Sequence, residues 1–546
     1  MHPKTKRRTA VVAVAGAIAL GTSLAVAQPS FGSQNPGTIA PESSGGSIVL
    51  TGAHSGTTTP IQHVVVIFDE NISFDHYFGT YPYATNTDGT TFHAKAGTPT
   101  VNGLTSSLLT DNPNGSNPTR LSPSQALTCD QDHSDTPEQQ AYDKGLADKF
   151  PEYTQNATCS SPDTGLPGLV MDYYDGNTVT ALWNYAQNYA MSDENYDTTY
   201  GPSTPGAINL VSGQTYGAQV VNSSTGAAVS DSAVVASANS SYLGTDVADM
   251  DPYYDDCGAG TDRLKLTGQN IGDELSSKGV TWGWFQGGFG ATTAATASTP
   301  AVCGQEHKNV GGAEEADYSA HHDPFQFYAS TANPHHVAPK SEAEVGHNGQ
   351  ANHQYDESYF YDSLKDGNLP SVSFVKQAEY QDGHAGYSDP LDEQAGIVSL
   401  VNSIESSKYW SSTAIILTYD DSDGWYDHQA PPNVNSSADP AVDELDGTGQ
   451  CGSTARAPLA GEEDRCGYGP RLPLLVISPY AKDNYVNHSV TDQTSVQAFI
   501  EQNWGLGTIT GSLSQYAGSL DPFFDFSNRH ARRVLLNPTT GAVVRD

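Results

Sequence analysis

Basic residues are scarce in this sequence. Its 546 residues include 24 lysines and arginines against 62 aspartates and glutamates, a formal net charge of −38. A surface this acidic argues against binding of nucleic acid and against attachment to anionic lipid, because both partners are themselves negatively charged. The acidity is consistent with a soluble exported protein, and we expect no nucleic-acid partner.

Apolar runs long enough to span a bilayer are absent beyond the N-terminus, so we expect no stable membrane insertion. The N-terminus has a basic stretch, KTKRR, then apolar AVVAVAGAIALGTSL, then Ala25-Val26-Ala27. This order predicts a cleaved signal peptide at residues 1–27 and a secreted protein, with a membrane anchor as the alternative. The Arg7-Arg8 pair leaves both the Sec and the Tat route open.

Cysteine is rare as well, with six residues in the chain. In an exported protein they suggest disulfides, and six cysteines allow fifteen connectivities. The chain has no C-x-x-C pair, which disfavours a zinc site. Pairing of sequence neighbours predicts Cys129–Cys159, Cys257–Cys303 and Cys451–Cys466.

Short apolar runs alternate with helical stretches from residue 58 onward. This alternation predicts an α/β fold with a central, largely parallel sheet flanked by helices. The predicted strands are Val64–Phe68, Val372–Val375, Ala414–Tyr419 and Leu472–Ser478. The predicted helices are Val179–Tyr189, Asp389–Glu405 and Thr494–Trp504.

Long polar stretches interrupt this pattern at 84–125, 216–262 and 290–350. They exceed ordinary connections, so we interpret them as loop insertions at the rim of a site within a single catalytic domain, 58–530. Residues 28–57 are rich in Gly, Ser, Thr and Pro and predict a flexible lead-in. Residues 531–546 are expected to form a C-terminal tail.

Two of the predicted strands run directly into acidic and amide side chains. Glu70 and Asn71 follow the first strand, and Asp420 and Asp421 follow the third. In open α/β sheets, ligands bind beyond the carboxyl ends of strands. Two carboxylate sets meeting there repel each other unless a cation lies between them, so these four residues predict a divalent metal site. Solvated acids in turns are the alternative.

The segment TTYGPSTPGAINL holds Ser203 in a turn constrained by Gly201, Pro202, Pro205 and Gly206. A serine hydroxyl held beside a metal can act as a nucleophile. A simple turn or helix cap is the ordinary alternative.

Seventeen histidines are present, and several lie beside acidic or glycine-rich stretches. Grouped imidazoles would suit an anionic group such as phosphoryl, as hydrogen-bond donors and general acids. The candidates are His133, His321, His322, His384 and His428.

These motifs resemble the bacterial phospholipase C / acid phosphatase phosphoesterase family, from about residue 60 to residue 527. VVVIFDENISFDHYFGTYP is similar to its E-N-x-S-F-D-x-Y-F-G, and TAIILTYDDSDGWYDHQAPP to its Y-D-E-x-G-G-x-x-D-H-V-x-P-P. Further similar segments are QDHSDTPEQQAYDKGLADKF, HHDPFQFY, RLPLLVISPYA and DPFFDFS. The resemblance implies an alkaline-phosphatase-like fold.

Position by position, the resemblance also implies site roles. Ser203 matches the nucleophile, which is also a metal ligand. The remaining metal ligands are matched by Glu70, Asn71, Asp420 and Asp421. The histidines of the phosphate pocket, which also serve catalysis, are matched by His133, His321, His322 and His384.

This chain departs from the family pattern at several positions. The phospholipase branch usually shows T-x-P-N-R, whereas this chain has Ser203-Thr204-Pro205-Gly206-Ala207, which favours the acid-phosphatase branch. Asp421 replaces a common Glu, and Asp423 stands at a usual Gly position. The C-terminal extension of many lipid-cleaving relatives is not found after DFS.

The resemblance therefore implies a secreted, metal-dependent phosphoric ester hydrolase that forms a phosphoseryl intermediate. Its substrate would be a small phosphate ester or a phospholipid, and the identity of the divalent metal and the oligomeric state stay open. One alternative is a phospholipase C in which Tyr77, Tyr173 and Tyr174 surround a choline ammonium. Another is a catalytically silent metal- or glycan-binding protein. Histidines that titrate near neutrality would favour activity at acid pH.

Overall fold

A mixed sheet of eight strands forms the centre of the molecule. The computed structural model describes residues 56–156, 168–237, 240, 242–530 and 532–545. In spatial order the strands are Gln354–Asp356, Trp282–Gln286, Val372–Lys376, His63–Asp69, Thr413–Tyr419, Leu474–Ile477, Ala190–Ser192 and Tyr485–Asn487. Five of the seven neighbouring pairs are parallel, and Leu474–Ile477 is antiparallel to both of its neighbours. The predicted α/β fold with a largely parallel sheet is confirmed.

The strand His63–Asp69 lies in the interior of this sheet. It pairs in parallel with Val372–Lys376 on one side and with Thr413–Tyr419 on the other. All its residues after His63 are buried. A continuous apolar run suits such a strand because both of its faces are covered, and each buried Val, Ile or Phe side chain contributes about 1.5–3 kcal/mol.

All four predicted strands belong to this sheet, with ends close to those predicted. The other four strands carry too little sequence signal to be recognised. Three of them have only three residues, Ala190–Ser192, Gln354–Asp356 and Tyr485–Asn487. The fourth, Trp282–Gln286, contains a glycine and ends in a glutamine.

The α-helices of the described residues are Phe74–Phe78, Ser106–Thr110, Asp135–Tyr142, Phe150–Tyr153, Thr180–Ala186, Ser203–Ser212, Ile271–Lys278, Ser358–Asp366, Pro390–Ser406 and Thr494–Trp504. All three predicted helices are present, although the one at Thr180–Ala186 is shorter than predicted. The longest, Pro390–Ser406, begins where Asp389 accepts hydrogen bonds from two first-turn amides and Pro390 takes the first helical position.

The stretch 216–262, interpreted above as an insertion, contains most of a second sheet. Its four antiparallel strands lie in the order Val234–Ala236, Gly244–Asp246, Tyr216–Asn222 and Asp262–Leu266. Three strand pairs are isolated from both sheets: Asn195–Tyr196 with Thr491–Asp492, Glu306–Lys308 with Glu314–Ala316, and Leu535–Leu536 with Val543–Arg545. The last pair lies within the segment expected as a tail, and Leu536 is buried in the main core.

Two of the three predicted disulfides are confirmed, Cys257–Cys303 and Cys451–Cys466. The third prediction involves Cys159, which lies outside the described residues, as do the predicted signal peptide 1–27 and almost all of the lead-in 28–57. Among the described helices, none combines the length and the apolar character needed to cross a membrane.

Candidate active site

The predicted metal ligands converge because two neighbouring parallel strands end at the same edge of the sheet. Asp69 pairs with Tyr419 at the ends of their strands, so Glu70 and Asn71 lie beside Asp420 and Asp421. The Asn71 backbone N–H donates to Asp420 Oδ1 over 2.9 Å. Asn71 has φ +60°, a left-handed conformation that asparagine tolerates better than most residues, and it turns the chain directly after the strand.

Ser203 is the first residue of the helix Ser203–Ser212 and faces these strand ends. Its Oγ lies 3.0 Å from Glu70 Oε2, 3.3 Å from Asn71 Oδ1 and 2.9 Å from Asp421 Oδ2. We call Glu70, Asn71, Ser203, Asp420 and Asp421 the Ser203 cluster. The positive end of the helix dipole lies at Ser203, where it favours an anionic group.

Two positions of the Ser203 turn require glycine for different reasons, a close approach at Gly206 and a positive φ at Gly201. A Cβ on Gly206 would lie 2.1 Å from the Asp420 backbone oxygen, so only glycine lets the helix approach the end of the strand Thr413–Tyr419 this closely. Gly201 has φ +122°, and its N–H donates to Glu138 Oε2 over 3.2 Å. Glu138 Oε1 accepts from Ser422 Oγ at 2.6 Å. Glu138 thereby links the turn that precedes the Ser203 helix to the loop that carries Asp420 and Asp421.

The donor set of the Ser203 cluster fits a hard divalent cation. All five residues present oxygen, and Asp420 Oδ2 is buried without a hydrogen-bond partner. With its NH₂ group turned inward, the Asn71 carboxamide donates to Glu70 Oε2 over 2.5 Å and to Asp420 Oδ1 over 3.1 Å, but it brings no charge to offset the carboxylates. Oxygens crowded in this way need a shared positive charge, and ions such as Mg²⁺, Mn²⁺ and Ca²⁺ prefer such ligands.

Lys376 brings a positive charge to the cluster that the sequence did not indicate. Its ammonium group contacts Glu70 Oε1 and lies 4.0 Å from Asp420 Oδ2. The group is fully buried; burial would lower the pKa of Lys376, but Glu70 and Asp420 outweigh burial and raise it. Lys376 thus holds one Glu70 oxygen and leaves the other facing Ser203.

Two of the predicted histidines lie directly against the Ser203 cluster. His322 Nδ1 is 3.3 Å from Glu70 Oε1, and His384 Nε2 is 3.2 Å from the Asn71 carboxamide. Burial lowers the pKa of both imidazoles. Burial would also raise the pKa of Glu70, but His322 and Lys376 outweigh it and hold that pKa well below its usual range.

The other two predicted histidines lie further out, each beside an aspartate. His133 Nδ1 is 3.2 Å from Asp423 Oδ1, and His321 Nδ1 is 3.3 Å from Asp251 Oδ1. Burial opposes their protonation, but nearby carboxylates outweigh it: the pKa of His321 rises to about 9 and that of His133 rises well above its usual value. These carboxylates therefore favour the cationic form of both imidazoles, and the sequence alone did not pair His133 with Asp423 or His321 with Asp251.

The conformation and contacts of Asp423 show how an aspartate can replace the glycine that is usual at this position of the family pattern. It has φ +53°, the left-handed conformation for which glycine is the default, and it is fully buried rather than exposed. Its Oδ1 accepts from the Gln131 N–H and faces His133. The aspartate therefore keeps the turn of a glycine and adds an anchor for His133.

A cavity of about 580 Å³ opens beside the cluster, and its lining includes His133, Pro202 and Asp249. Asp249 Oδ1 accepts from the Thr204 N–H at 2.8 Å, at the N-terminus of the Ser203 helix. A larger cavity of about 900 Å³ lies along Gln354–Asp356, and none of the predicted site residues lines it. The smaller cavity thus borders His133 and Pro202, the residue directly before Ser203.

Some aromatic and histidine candidates lie elsewhere. Tyr77 and Tyr174 are buried, and their hydroxyls donate to Glu393 Oε2 and to the Gln125 and Ala126 carbonyls. They belong to the core, so the choline cage suggested for them is wrong. His428 contacts Asp75 rather than the Ser203 cluster.

A family model described as the Phosphoesterase family matches residues 61–507. The match covers most of the chain, and the protein belongs to this family.

Curated relatives align over shorter stretches. A non-hemolytic phospholipase C of Pseudomonas aeruginosa is 33% identical over 171 residues, 29% of this chain and 24% of that protein. Phospholipase C B of Mycobacterium tuberculosis is 26% identical over 176 residues, 31% of this chain and 32% of that protein. Non-specific phospholipase C6 of Arabidopsis thaliana is 29% identical over 141 residues, 24% of each chain. The chain thus matches about a quarter to a third of the length of these relatives.

Solved structures show weaker similarity. Murine ectonucleotide pyrophosphatase / phosphodiesterase 5 is 11% identical, with 64% of this chain and 95% of that chain covered and a TM-score of 0.32. A protein of the alkaline phosphatase superfamily from Vibrio parahaemolyticus is also 11% identical, covers 59% of both chains and gives a TM-score of 0.27. At these scores the two similarities support no conclusion about the site.

Proposed function

We propose that this protein is a metal-dependent phosphoric ester hydrolase of the acid-phosphatase type, with Ser203 as its nucleophile and a phosphoseryl intermediate. Membership of the phosphoesterase family supports the class of reaction. The observation that carries the proposal is the position of Ser203 Oγ, within 3.3 Å of Glu70, Asn71 and Asp421 oxygens at a helix N-terminus.

The residues of the Ser203 cluster would hold one divalent cation. When bound, such an ion would lower the pKa of the Ser203 hydroxyl and neutralise charge on the phosphoryl oxygens. Charges of the chain itself are arranged for this: Glu70, Asp420 and Asp421 bring three negative charges and Lys376 one positive charge. With all three carboxylates ionised, the remaining charge of −2 matches a single divalent ion. Burial raises the pKa of Asp420, and that of Asp421 to about 7, so a bound cation would favour their ionised forms.

The chain's own residues supply the bond-making steps. Ser203 Oγ attacks phosphorus, and its proton passes to Asp421, whose Oδ2 lies 2.9 Å away. An Oγ–P bond forms while the ester P–O bond breaks, and the departing alcohol takes a proton from His384 or His322, whose lowered pKa values require acid pH for this step. Water then attacks the phosphoserine and gives a proton to the histidine that protonated the alcohol. The Oγ–P bond breaks, phosphate leaves, and the proton held by Asp421 returns to Ser203 Oγ.

The outer histidines would stabilise the charge that spreads over the phosphoryl group. His133 and His321, held cationic by their aspartates, can donate hydrogen bonds to its oxygens. Preorganised donors of this kind usually contribute the largest share of the acceleration of phosphoryl transfer.

The substrate is proposed to be a small phosphate monoester, and the purified mature protein tests this directly. Hydrolysis of p-nitrophenyl phosphate and of p-nitrophenyl phosphorylcholine would be compared at acid to neutral pH, with and without EDTA. EDTA-sensitive turnover of the monoester alone is expected. Turnover of neither substrate would leave a silent metal- or glycan-binding protein, the alternative class.

A phospholipase C that cleaves phosphodiester head groups is the second candidate. The names of the curated relatives favour it, since all three relatives described above are phospholipases C. Preferred turnover of p-nitrophenyl phosphorylcholine, followed by release of phosphorylcholine from phosphatidylcholine, would support this candidate over the first.

We further propose that the protein acts outside the cell after removal of residues 1–27. Sequencing the N-terminus of the protein collected from culture medium tests this, and an N-terminus at residue 28 is the expected result.

A further inference from the structure

A second group of carboxylates lies apart from the Ser203 cluster, around the disulfide Cys451–Cys466. It consists of Asp439, Asp443, Glu463 and Asp464, which we call the loop cluster. The two halves of the cluster come from separate segments of the chain. The disulfide, which closes the segment between residues 451 and 466, keeps the second half near the first.

Hydrogen bonds fasten the two segments to each other. The Asp464 N–H donates to Ser437 Oγ over 2.8 Å, and the Ala438 N–H donates to Glu463 Oε2 over 3.0 Å. Within the first segment, the Asp439 N–H donates to Asp443 Oδ2 over 2.6 Å. The four carboxylates are therefore held close together by backbone contacts that do not neutralise their charge.

Two of these carboxylates are buried and incompletely satisfied. Asp443 is 1% exposed and Asp464 is 8% exposed. The Oδ1 atom of each is buried without a hydrogen-bond partner. Burial, together with repulsion from Asp439 and Asp443, raises the pKa of Asp464 to about 8. A buried acceptor left without a partner costs about 1–3 kcal/mol, and more when it is charged.

No cation of the described part of the chain compensates the loop cluster. Every ion pair among the described residues involves a carboxylate outside the loop cluster. The neighbouring Arg465 directs its guanidinium to the Gly213 and Gly511 carbonyls instead. The loop cluster thus differs from the Ser203 cluster, where Lys376 supplies a positive charge.

We propose that the loop cluster binds a divalent cation with the chemistry of Ca²⁺. The donors are carboxylate oxygens only, two of them buried and unpartnered, and Ca²⁺ accepts oxygen ligands in irregular arrangements. The site is independent of the proposed hydrolysis at Ser203.

A cation there would stabilise the structure behind the nucleophile. The loop packs on the helix Asp135–Tyr142: Gln139 Oε1 accepts from the Glu444 and Leu445 N–H groups at 2.9 and 3.0 Å. The same helix carries Glu138, which contacts Gly201 and Ser422 beside the Ser203 cluster. Binding at the loop cluster therefore stabilises the support of the Ser203 turn without touching a substrate.

Titration of CaCl₂ into metal-free full-length protein, followed by calorimetry, tests the proposal. The parent would carry Asp420→Asn and Asp421→Asn, so that binding at the Ser203 cluster does not contribute. We expect one Ca²⁺ per chain and a higher melting temperature in Ca²⁺ than in EDTA. Adding Asp443→Asn and Asp464→Asn is expected to weaken binding at least tenfold and to abolish the shift.

A matched control is Asp246→Asn. Asp246 is also buried with unpartnered oxygens. Among the described carboxylates, Asp249 alone raises the pKa of Asp246, so Asp246 does not belong to a cluster of acids. We expect Ca²⁺ binding to be unchanged in this variant. Absence of binding in the parent, or equal binding after Asp443→Asn and Asp464→Asn, would overturn the proposal.

Folding of the double variant can be judged in EDTA. Neutralising two crowded carboxylates removes repulsion, so its melting temperature in EDTA should be at least that of the parent. If the double variant does not fold, the single change Asp464→Asn and the parent's own titration still decide between the two outcomes.

Discussion

Two carboxylate clusters take residues from the same two segments of the chain, but they differ in how their carboxylate oxygens are paired. The first is the Ser203 cluster. The second, which we call the Arg471 cluster, consists of Asp75, Asp427, His428 and Arg471. Each cluster contains at least one acidic residue from the segment after His63–Asp69 and at least one from the segment after Thr413–Tyr419.

In the Arg471 cluster every carboxylate oxygen has a partner. Arg471 Nη2 lies 3.1 Å from both Asp75 Oδ1 and Asp427 Oδ2. His428 Nδ1 lies 2.5 Å from Asp75 Oδ2, and the Gln429 N–H donates to Asp427 Oδ1 at 2.8 Å. In the Ser203 cluster, by contrast, Asp420 Oδ2 has no hydrogen-bond partner.

The difference separates a structural ion-pair network from a binding site. A buried guanidinium with hydrogen bonds to both carboxylates needs no further ligand, because charge and hydrogen bonding are satisfied together. A buried set of carboxylates with too few cations either takes up protons, as the raised pKa values of Asp420 and Asp421 indicate, or binds a ligand of opposite charge. Four substitutions test this difference between the two clusters.

The largest effect is expected from Ser203→Ala. Removing the nucleophile should lower kcat by at least about 10,000-fold, since little catalysis survives loss of the attacking group. Steady-state hydrolysis of p-nitrophenyl phosphate measures this. Ser212→Ala, at the other end of the same buried helix, is the control and should keep most of the activity. Similar losses in both variants would mean that the helix, not the hydroxyl, is required.

Arg471→Met should destabilise the protein by removing the only guanidinium of the Arg471 cluster. Removing the guanidinium leaves two buried carboxylates uncompensated and is expected to cost about 3–5 kcal/mol in the free energy of unfolding. Urea unfolding measures the change. The triple variant with Asp75→Asn and Asp427→Asn should recover part of the loss, because it removes the uncompensated charges; equal stability of the single and triple variants would argue against this reasoning.

Lys376→Met should make the Ser203 cluster more dependent on a cation. Without the ammonium group, three carboxylates repel each other in metal-free protein, so the gain in unfolding free energy on adding Mg²⁺ should grow by roughly 1–2 kcal/mol. Urea unfolding with Mg²⁺ and with EDTA gives this difference. Lys365→Met removes an exposed lysine and should leave it unchanged. A smaller Mg²⁺ effect in Lys376→Met would contradict the proposed role.

The smallest effect concerns His428 and pH. Burial opposes protonation of His428, but attraction to Asp75 and the hydrogen bond that His428 donates to it raise the pKa of His428 above the usual 6.5. The raised pKa means that its stabilising contribution is complete below pH 6.5 and is lost as the pH rises through the folded-state value. His428→Asn keeps a donor for Asp75 but cannot become charged.

The wild-type protein should therefore exceed His428→Asn in unfolding free energy by roughly 1 kcal/mol at acid pH. That advantage should shrink toward alkaline pH. Urea unfolding across this range measures it, and a difference that grows with pH would reverse the assigned sign.

Much of the site is predictable because its residues stand next to strong patterns. Glu70, Asn71, Asp420 and Asp421 directly follow apolar runs, and parallel strands bring such ends together. Ser203 lies in a turn crowded with proline and glycine, which marks a fixed conformation. The structure brings these five residues within contact of one another, while their roles in metal binding and catalysis stay predictions.

The residues that escaped prediction depend on contacts between distant segments. Lys376 ends a strand that the apolar pattern closes at Val375, so nothing local indicates its contact with Glu70. Asp251 lies in an insertion and meets His321 only in the folded chain. The loop cluster likewise requires residues 439–443 and 463–464 to meet, and the sequence shows only scattered acids there.

The most direct test of the central claim is a search for phosphate on Ser203. Wild-type protein would be mixed with p-nitrophenyl phosphate at acid pH, quenched in acid during turnover and analysed by peptide mass spectrometry. A phosphorylated peptide whose modified residue is Ser203, absent after EDTA treatment, is the predicted result. Steady turnover in Ser203→Ala, or phosphate found only on another residue, would contradict the claim that the Ser203 cluster is the catalytic centre.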